Sequence, residues 1–176
     1  MILVRHGQSL FNVHYARTRR DPGIPDPPLT EEGRRQARCL AEELRGEGVR
    51  RLIASPYTRA LETASIIAEL LELPLTVEVS VREHAAFVCD IGTPARELAQ
   101  RWPALRFDHI EDPWWPPLDE TEAALRARAQ AFRRAMCEIA DWREVAVVSH
   151  WGFIRALTGV ELANCQSHRF DPTGPD

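Results

Sequence analysis

The sequence contains no lysine: each of its 22 Lys-or-Arg positions is an arginine. That absence closes several chemistries. A Walker A phosphate loop needs its lysine, and Schiff-base or pyridoxal-lysine catalysis needs an amine. Long apolar runs are missing too, and no stretch approaches the roughly 18 residues that cross a bilayer. An apolar run that begins at Ile2 leaves no room for a signal peptide, so the expected location is the cytoplasm, away from membranes. Excess positive charge is lacking as well. The net charge is −4 with both signs interleaved, which argues against nucleic acid as the main partner. The four cysteines, Cys39, Cys89, Cys137 and Cys165, form no Cys-x-x-Cys pair. Zinc-ribbon and thioredoxin-like readings therefore have no support, and the thiols read as reduced and packed.

What is present alternates between two periodicities. The 176 residues suffice for one domain with a proper core, so a single domain over 1–176 is expected. Residues 2–5, 51–55, 75–79 and 145–149 are short, largely apolar runs and read as strands. Between them lie helical patterns. One starts after Thr30, whose hydroxyl suits a helix cap, and runs to about Arg45 before Gly46 and Gly48. Another runs from Pro56 to about Leu71, and a third from about Thr121 to Ala140. In the third, Leu125, Ala129, Phe132, Met136 and Ile139 recur at alternating spacings of four and three, forming an inward stripe. Short helices are predicted at 94–102 and 153–157. Residues 21–28 carry Pro22, Pro25, Pro27 and Pro28 and read as a stiff loop. Residues 10–28 and 84–118 are expected to be loops over the site, the second a cover segment, and the tail from Ser167 reads as flexible.

Strands alternating with helices predict an α/β three-layer sandwich, a mostly parallel sheet with helices on both faces. In such sheets ligands collect at the carboxyl ends of the strands. His6, Ser55 and His150 each lie just past one of those ends. The segments around them resemble the signature of the histidine phosphatase superfamily, which includes the cofactor-dependent phosphoglycerate mutases. "LVRHGQSLFN" (3–12), "PLTEEGRRQA" (28–37), "SPYTRALETA" (55–64), Arg82-Glu83 and "VVSHWGFIRAL" (147–157) follow one another in the family's order. The resemblance implies a phosphoglycerate mutase-like fold. It also implies that His6 is the nucleophile, that Arg5, Arg59 and His150 bind the phosphoryl group, and that Glu83 is the proton donor. By the same analogy Asn12, and Gln8 with it, hydrogen-bond phosphate. Glu83 stands here in Ser-Val-Arg-Glu-His rather than in the Leu-x-Glu context common in the family.

Each residue type also makes chemical sense by itself. A phosphomonoester carries about two negative charges at neutral pH, and guanidinium forks match phosphate oxygens. Two arginines beside an imidazole favour its neutral form, which is the nucleophilic one. Gly7 is expected to leave space for phosphate against the backbone. Two guanidinium charges repel a cation, so no metal and no cofactor is expected. The expected activity is hydrolysis of a small-molecule phosphomonoester through phosphohistidine. A mutase-type transfer and a non-catalytic phosphate-binding module are the alternatives. His84, His109 and His168 are given no role beyond structure or exposure.

Overall fold

The computed structural model describes residues 1–174. The four apolar runs form parallel strands: β1 (Ile2–Arg5), β2 (Arg51–Ala54), β3 (Leu75–Val77) and β4 (Val145–Ser149). β5 (Ser167–Arg169) adds an antiparallel edge to β1, and the order is β3-β2-β4-β1-β5. Alternate side chains of each strand enter different layers, as the twofold repeat of a strand requires. Ile2, Val4, Leu52, Ala54, Ala146 and Val148 pack against α2 (Glu31–Leu44) and α3 (Thr58–Leu71). Leu3, Ile53, Val145 and Val147 pack against α5 (Glu122–Cys137) and α6 (Trp151–Thr158). Burial on both faces is why these strands are apolar at nearly every position. α4 (Ala95–Arg101) and the segment after it add Leu98, Phe107 and Trp114 to the first core.

The topology explains why three separate sequence segments meet. β4 inserts between β1 and β2, so the carboxyl ends of β2, β4 and β1 lie side by side. The ladder continues one residue past the strands: the His6 amide donates to Ser149 O at 3.0 Å, and the Ser55 amide donates to Val148 O at 3.1 Å. His6, Ser55 and His150 thus project from one rim.

Three expectations are corrected. Residues 10–18 are a helix, α1 (Leu10–Thr18), and not loop. Ser9 caps it by accepting from Asn12 N while the Asn12 side chain accepts from Ser9 N, a reciprocal pair that satisfies two amino-terminal amides. The tail is not free: Ser167, His168 and Arg169 pair with Val4, Leu3 and Ile2 because β1 would otherwise present an open edge. The long helix stops at Cys137, which leaves Ile139 outside it. The proline-rich loop is pinned by Asp26, which accepts from Thr58 N at 2.8 Å, from Thr58 Oγ1 and from Thr93 Oγ1. That carboxylate caps α3, whose own N-cap residue Tyr57 supplies no side-chain bond. Among the described residues no helix is long and apolar enough to cross a membrane.

Candidate active site

His6 is 3% exposed, and its Nδ1 lies 2.7 Å from Gly7 O. A carbonyl only accepts, so Nδ1 carries the proton and Nε2 keeps its lone pair. Burial first, then the charges of Arg59 and Arg5, hold the His6 pKa well below the ordinary imidazole value. The ring is therefore neutral at pH 7, with one nitrogen free to act as nucleophile.

His150 lies next to it, with ring centroids 5.1 Å apart. Its Nε2 is 2.8 Å from Ser55 Oγ, and burial followed by Arg59 holds this imidazole neutral too. Arg59, in the first turn of α3, is 3% exposed; its Nη1 donates to Cys89 O at 2.9 Å and its Nη2 to Asp90 Oδ1 at 3.0 Å. The Arg59 guanidinium lies 4.5 Å from the Tyr57 ring centroid. Arg5 donates through Nη1 to Leu162 O at 2.8 Å. Among the described residues two buried side-chain polar atoms have no partner, and both belong to this cluster: Arg5 Nε and His150 Nδ1. Buried polar groups are nearly always satisfied, so these two atoms are open hydrogen-bonding positions within the cluster.

Glu83 is half-buried, and its Oε1 accepts from His84 N at 2.8 Å and from Phe153 N at 3.2 Å. Burial, then the charge of Asp90, raises its pKa, against the pull of the His84 amide, Arg59 and Arg5. Gly152 makes this seat possible, since a Cβ there would stand 2.6 Å from Glu83 Oε1. A half-buried ion cluster holds the carboxyl's backbone. Arg128 donates to Ser80 O at 2.9 Å, to Arg82 O at 2.8 Å and to Glu83 O at 3.3 Å, while Glu120 binds both Arg82 and Arg128.

Arg5, His6, Asn12, Arg59 and Glu83 line one cavity of about 450 Å³. The structure therefore brings together on one wall five of the eight residues given a site role from sequence. His150 is fully buried, its ring 5.1 Å from that of His6, and is not among the residues lining the cavity. Gly7 is also off the wall, and the reason given for it is corrected: a Cβ on Gly7 would lie 2.6 Å from Gly33 O, and one on Gly33 only 2.1 Å from Gln8 O. The two glycines let α2 touch the backbone after β1; they do not make room for phosphate. Gln8 faces away too, accepting from Thr30 Oγ1 at 2.8 Å. Asn12 Oδ1 accepts from Ser9 and from Asn164 Nδ2, which leaves the Asn12 amide NH2 as its donor toward the cavity. His84 lies on the wall, its Nε2 2.7 Å from Glu120 O. Asp90, Glu120, Arg128 and Asn164 escaped sequence reasoning. None stands in a recognisable motif, and each acts by holding a residue that does.

A model of the histidine phosphatase superfamily (branch 1) matches residues 1–174. The chain belongs to that superfamily. Over 81 residues it is 41% identical to the probable phosphoglycerate mutase GpmB of Yersinia pestis (strain Pestoides F), a stretch covering 46% of this chain and 36% of that protein. The chain thus matches little more than a third of the length of such curated relatives. Solved histidine phosphatases align over far more of it. A mycobacterial glucosyl-3-phosphoglycerate phosphatase in complex with VO3 is similar at a TM-score of 0.66 and 25% identity, covering 95% of this chain and 88% of its own. A protein described as mycobacterial hydrolase 1 reaches a TM-score of 0.68 at 26% identity with the same coverage. The ecdysone phosphate phosphatase of Bombix mori, in complex with tungstate, shares the fold at a TM-score of 0.64 and 18% identity, covering 99% of this chain and 93% of its own. The phosphoglycerate mutase-like sandwich read from the sequence is the architecture of these proteins.

Proposed function

We propose that the protein is a metal-independent phosphatase that hydrolyses a small-molecule phosphomonoester through phosphohistidine at His6. One observation carries this reading: the 2.7 Å bond to Gly7 O fixes the His6 tautomer with Nε2 unprotonated, in the field of the Arg59 and Arg5 charges. In the first step the Nε2 lone pair attacks phosphorus and forms the N–P bond while the ester P–O bond breaks. The departing oxygen takes the proton of Glu83, whose raised pKa keeps that proton available. In the second step the Glu83 carboxylate takes a proton from water as its oxygen attacks phosphorus. The N–P bond breaks, inorganic phosphate leaves, and His6 Nε2 regains its lone pair. Throughout, Arg5 and Arg59 balance the phosphoryl charge, as phosphoryl transfer depends mainly on positioning and charge stabilisation. Arg5 Nε, His150 Nδ1 and the Asn12 amide supply further donors. With the Ser55 hydroxyl donating to His150 Nε2 across 2.8 Å, the ring proton sits on Nδ1, the tautomer this reading requires.

Hydrolysis is the reading taken because solved structures similar over 95% of the chain include a named phosphatase; the curated relatives matched in sequence are named phosphoglycerate mutases, so the assay must separate the two. The test uses p-nitrophenyl phosphate in excess chelator: inorganic phosphate accumulates with the wild-type protein and none with His6→Ala. Restoration of turnover only by an added divalent cation refutes the mechanism. Interconversion of 2- and 3-phosphoglycerate without phosphate release would establish the mutase reading instead.

A further inference from the structure

Phe11 and Tyr15 stand one helical turn apart on α1 and stack, with centroids 5.2 Å apart and planes 16° from parallel. Phe87, from the segment between β3 and α4, lies 5.4 Å from each of them. All three line the cavity that holds His6, and Trp151 also lines it. None of these four rings belongs to either core of the sheet, and each is only half-buried. α1 itself buries no residue. Its aromatic face therefore does little for packing. The wall is nonetheless built, since Asp90, which holds Arg59 through Oδ1, accepts from Phe87 N at 3.1 Å through Oδ2. One carboxylate thus sets both the cationic end of the cavity and its aromatic end.

We propose that Phe11, Tyr15, Phe87 and Trp151 bind the alcohol half of the substrate, and that this half is a flat aromatic or heteroaromatic group. The inference rests on the phosphatase reading for the other half. Ring faces reward a flat apolar partner by stacking and area burial. Against four ring faces the Tyr15 hydroxyl and the Trp151 indole N–H are the polar atoms the wall itself presents, so most hydroxyls of a sugar would lose water without gaining hydrogen bonds. Arg19 also lines the cavity, its guanidinium 5.8 Å from the Tyr15 ring centroid. A cavity of about 450 Å³ sits low in the range of about 300–1,000 Å³ usual for small-molecule sites. It suits a phosphate with one or two rings.

The test compares two phosphonates of equal charge by titration calorimetry: 2-phenylethylphosphonic acid and 2,3-dihydroxypropylphosphonic acid. The phenyl compound is expected to bind at least about tenfold more tightly, the scale of one good ring contact. Phe11→Leu and Phe87→Leu, which keep apolar volume and lose the flat face, are expected to narrow that ratio to about threefold or less. Equal affinities, tighter binding of the diol, no binding of either compound, or a ratio unchanged in both variants overturns the proposal. Turnover of 2-phenylethyl phosphate and glycerol phosphate, both esters of primary alcohols, is measured alongside. A phenyl preference in binding with neither ester hydrolysed leaves the aromatic wall standing and removes the phosphatase reading. Hydrolysis of both esters with no phenyl preference does the reverse.

Discussion

Replacing Asp90 by Asn tests how one buried charge serves both stability and proton transfer. Asp90 is 1% exposed and pairs with Arg59, itself 3% exposed, at 3.0 Å. Its other oxygen accepts from Ala86 N at 3.2 Å and Phe87 N at 3.1 Å. Asn keeps the shape and one acceptor, but its amide NH2 must then face either the guanidinium or two backbone amides. Breaking a buried pair by removing one partner costs about 3–5 kcal/mol, and the retained shape puts Asp90→Asn near the lower end, about 3 kcal/mol. For a chain of this size that lowers Tm by roughly 6–12 °C. The same change acts on Glu83. After burial, the Asp90 charge is the next cause of that carboxyl's raised pKa, so its removal lowers the pKa. Because the protonated acid does the work, the alkaline limb of the pH–rate profile moves to lower pH and activity falls at pH 7–8. Thermal denaturation and a pH series with 2-phenylethyl phosphate measure the two effects. A Tm loss under about 3 °C refutes the energetic argument, and an unmoved alkaline limb removes Glu83 from the proton-donor role.

Three further predictions follow from particular contacts. Gly33→Ala drives a Cβ to 2.1 Å from Gln8 O, a backbone atom that moves only with the whole segment; urea unfolding is expected to show a loss of about 1–3 kcal/mol, and none would mean that α2 and the β1 loop do not meet as described. At Glu120, burial raises the pKa, but hydrogen bonds from Arg82 and Arg128 outweigh it and lower the pKa from 4.5 to about 2. The folded pKa is depressed, so its stabilisation is present above about pH 4.5 and lost as pH falls toward 2; discounted for partial solvent screening it is about 1–2 kcal/mol, and the stability gap between wild type and Glu120→Gln is expected to narrow below about pH 4.5 and to close near pH 2. For His6, a pKa well below the ordinary value means that no acid limb from this ring appears between pH 7.5 and 6.5; Arg5→Gln, which removes a neighbouring cation, raises the pKa and moves the acid limb of kcat/KM upward, and an unmoved limb contradicts the electrostatic account.

The parts legible in the sequence were those where both local pattern and global position demand the same residues. β1, β2 and β4 are apolar because both faces are covered, and the chemistry sits just past their ends because parallel strands point one way. α1 was hidden because Val13, His14, Tyr15 and Thr18 are poor helix formers and because its apolar face lines a cavity rather than a core. Its one local signal was Ser9 followed by Asn12 at the capping spacing. β5 has no apolar run to announce it; Ser167, His168 and Arg169 form a strand only because β1 has a free edge. The inner residues His6, Arg5, Arg59 and Glu83 carry motifs, but the groups that orient them do not. Asp90 and Glu120 look in the sequence like surface carboxylates, and only the fold places them against Arg59 and Arg128. Gly7 was noticed for its freedom, yet the close approach that requires glycine involves Gly33, 26 residues further on.

Rapid-quench labelling decides the central point. With a phosphomonoester carrying labelled phosphorus, the protein is expected to show within the first turnover an adduct that is labile in acid, stable in alkali and located on His6, and His6→Ala is expected to show none. Turnover at an undiminished rate with no such adduct, or with the label on another side chain, contradicts the account.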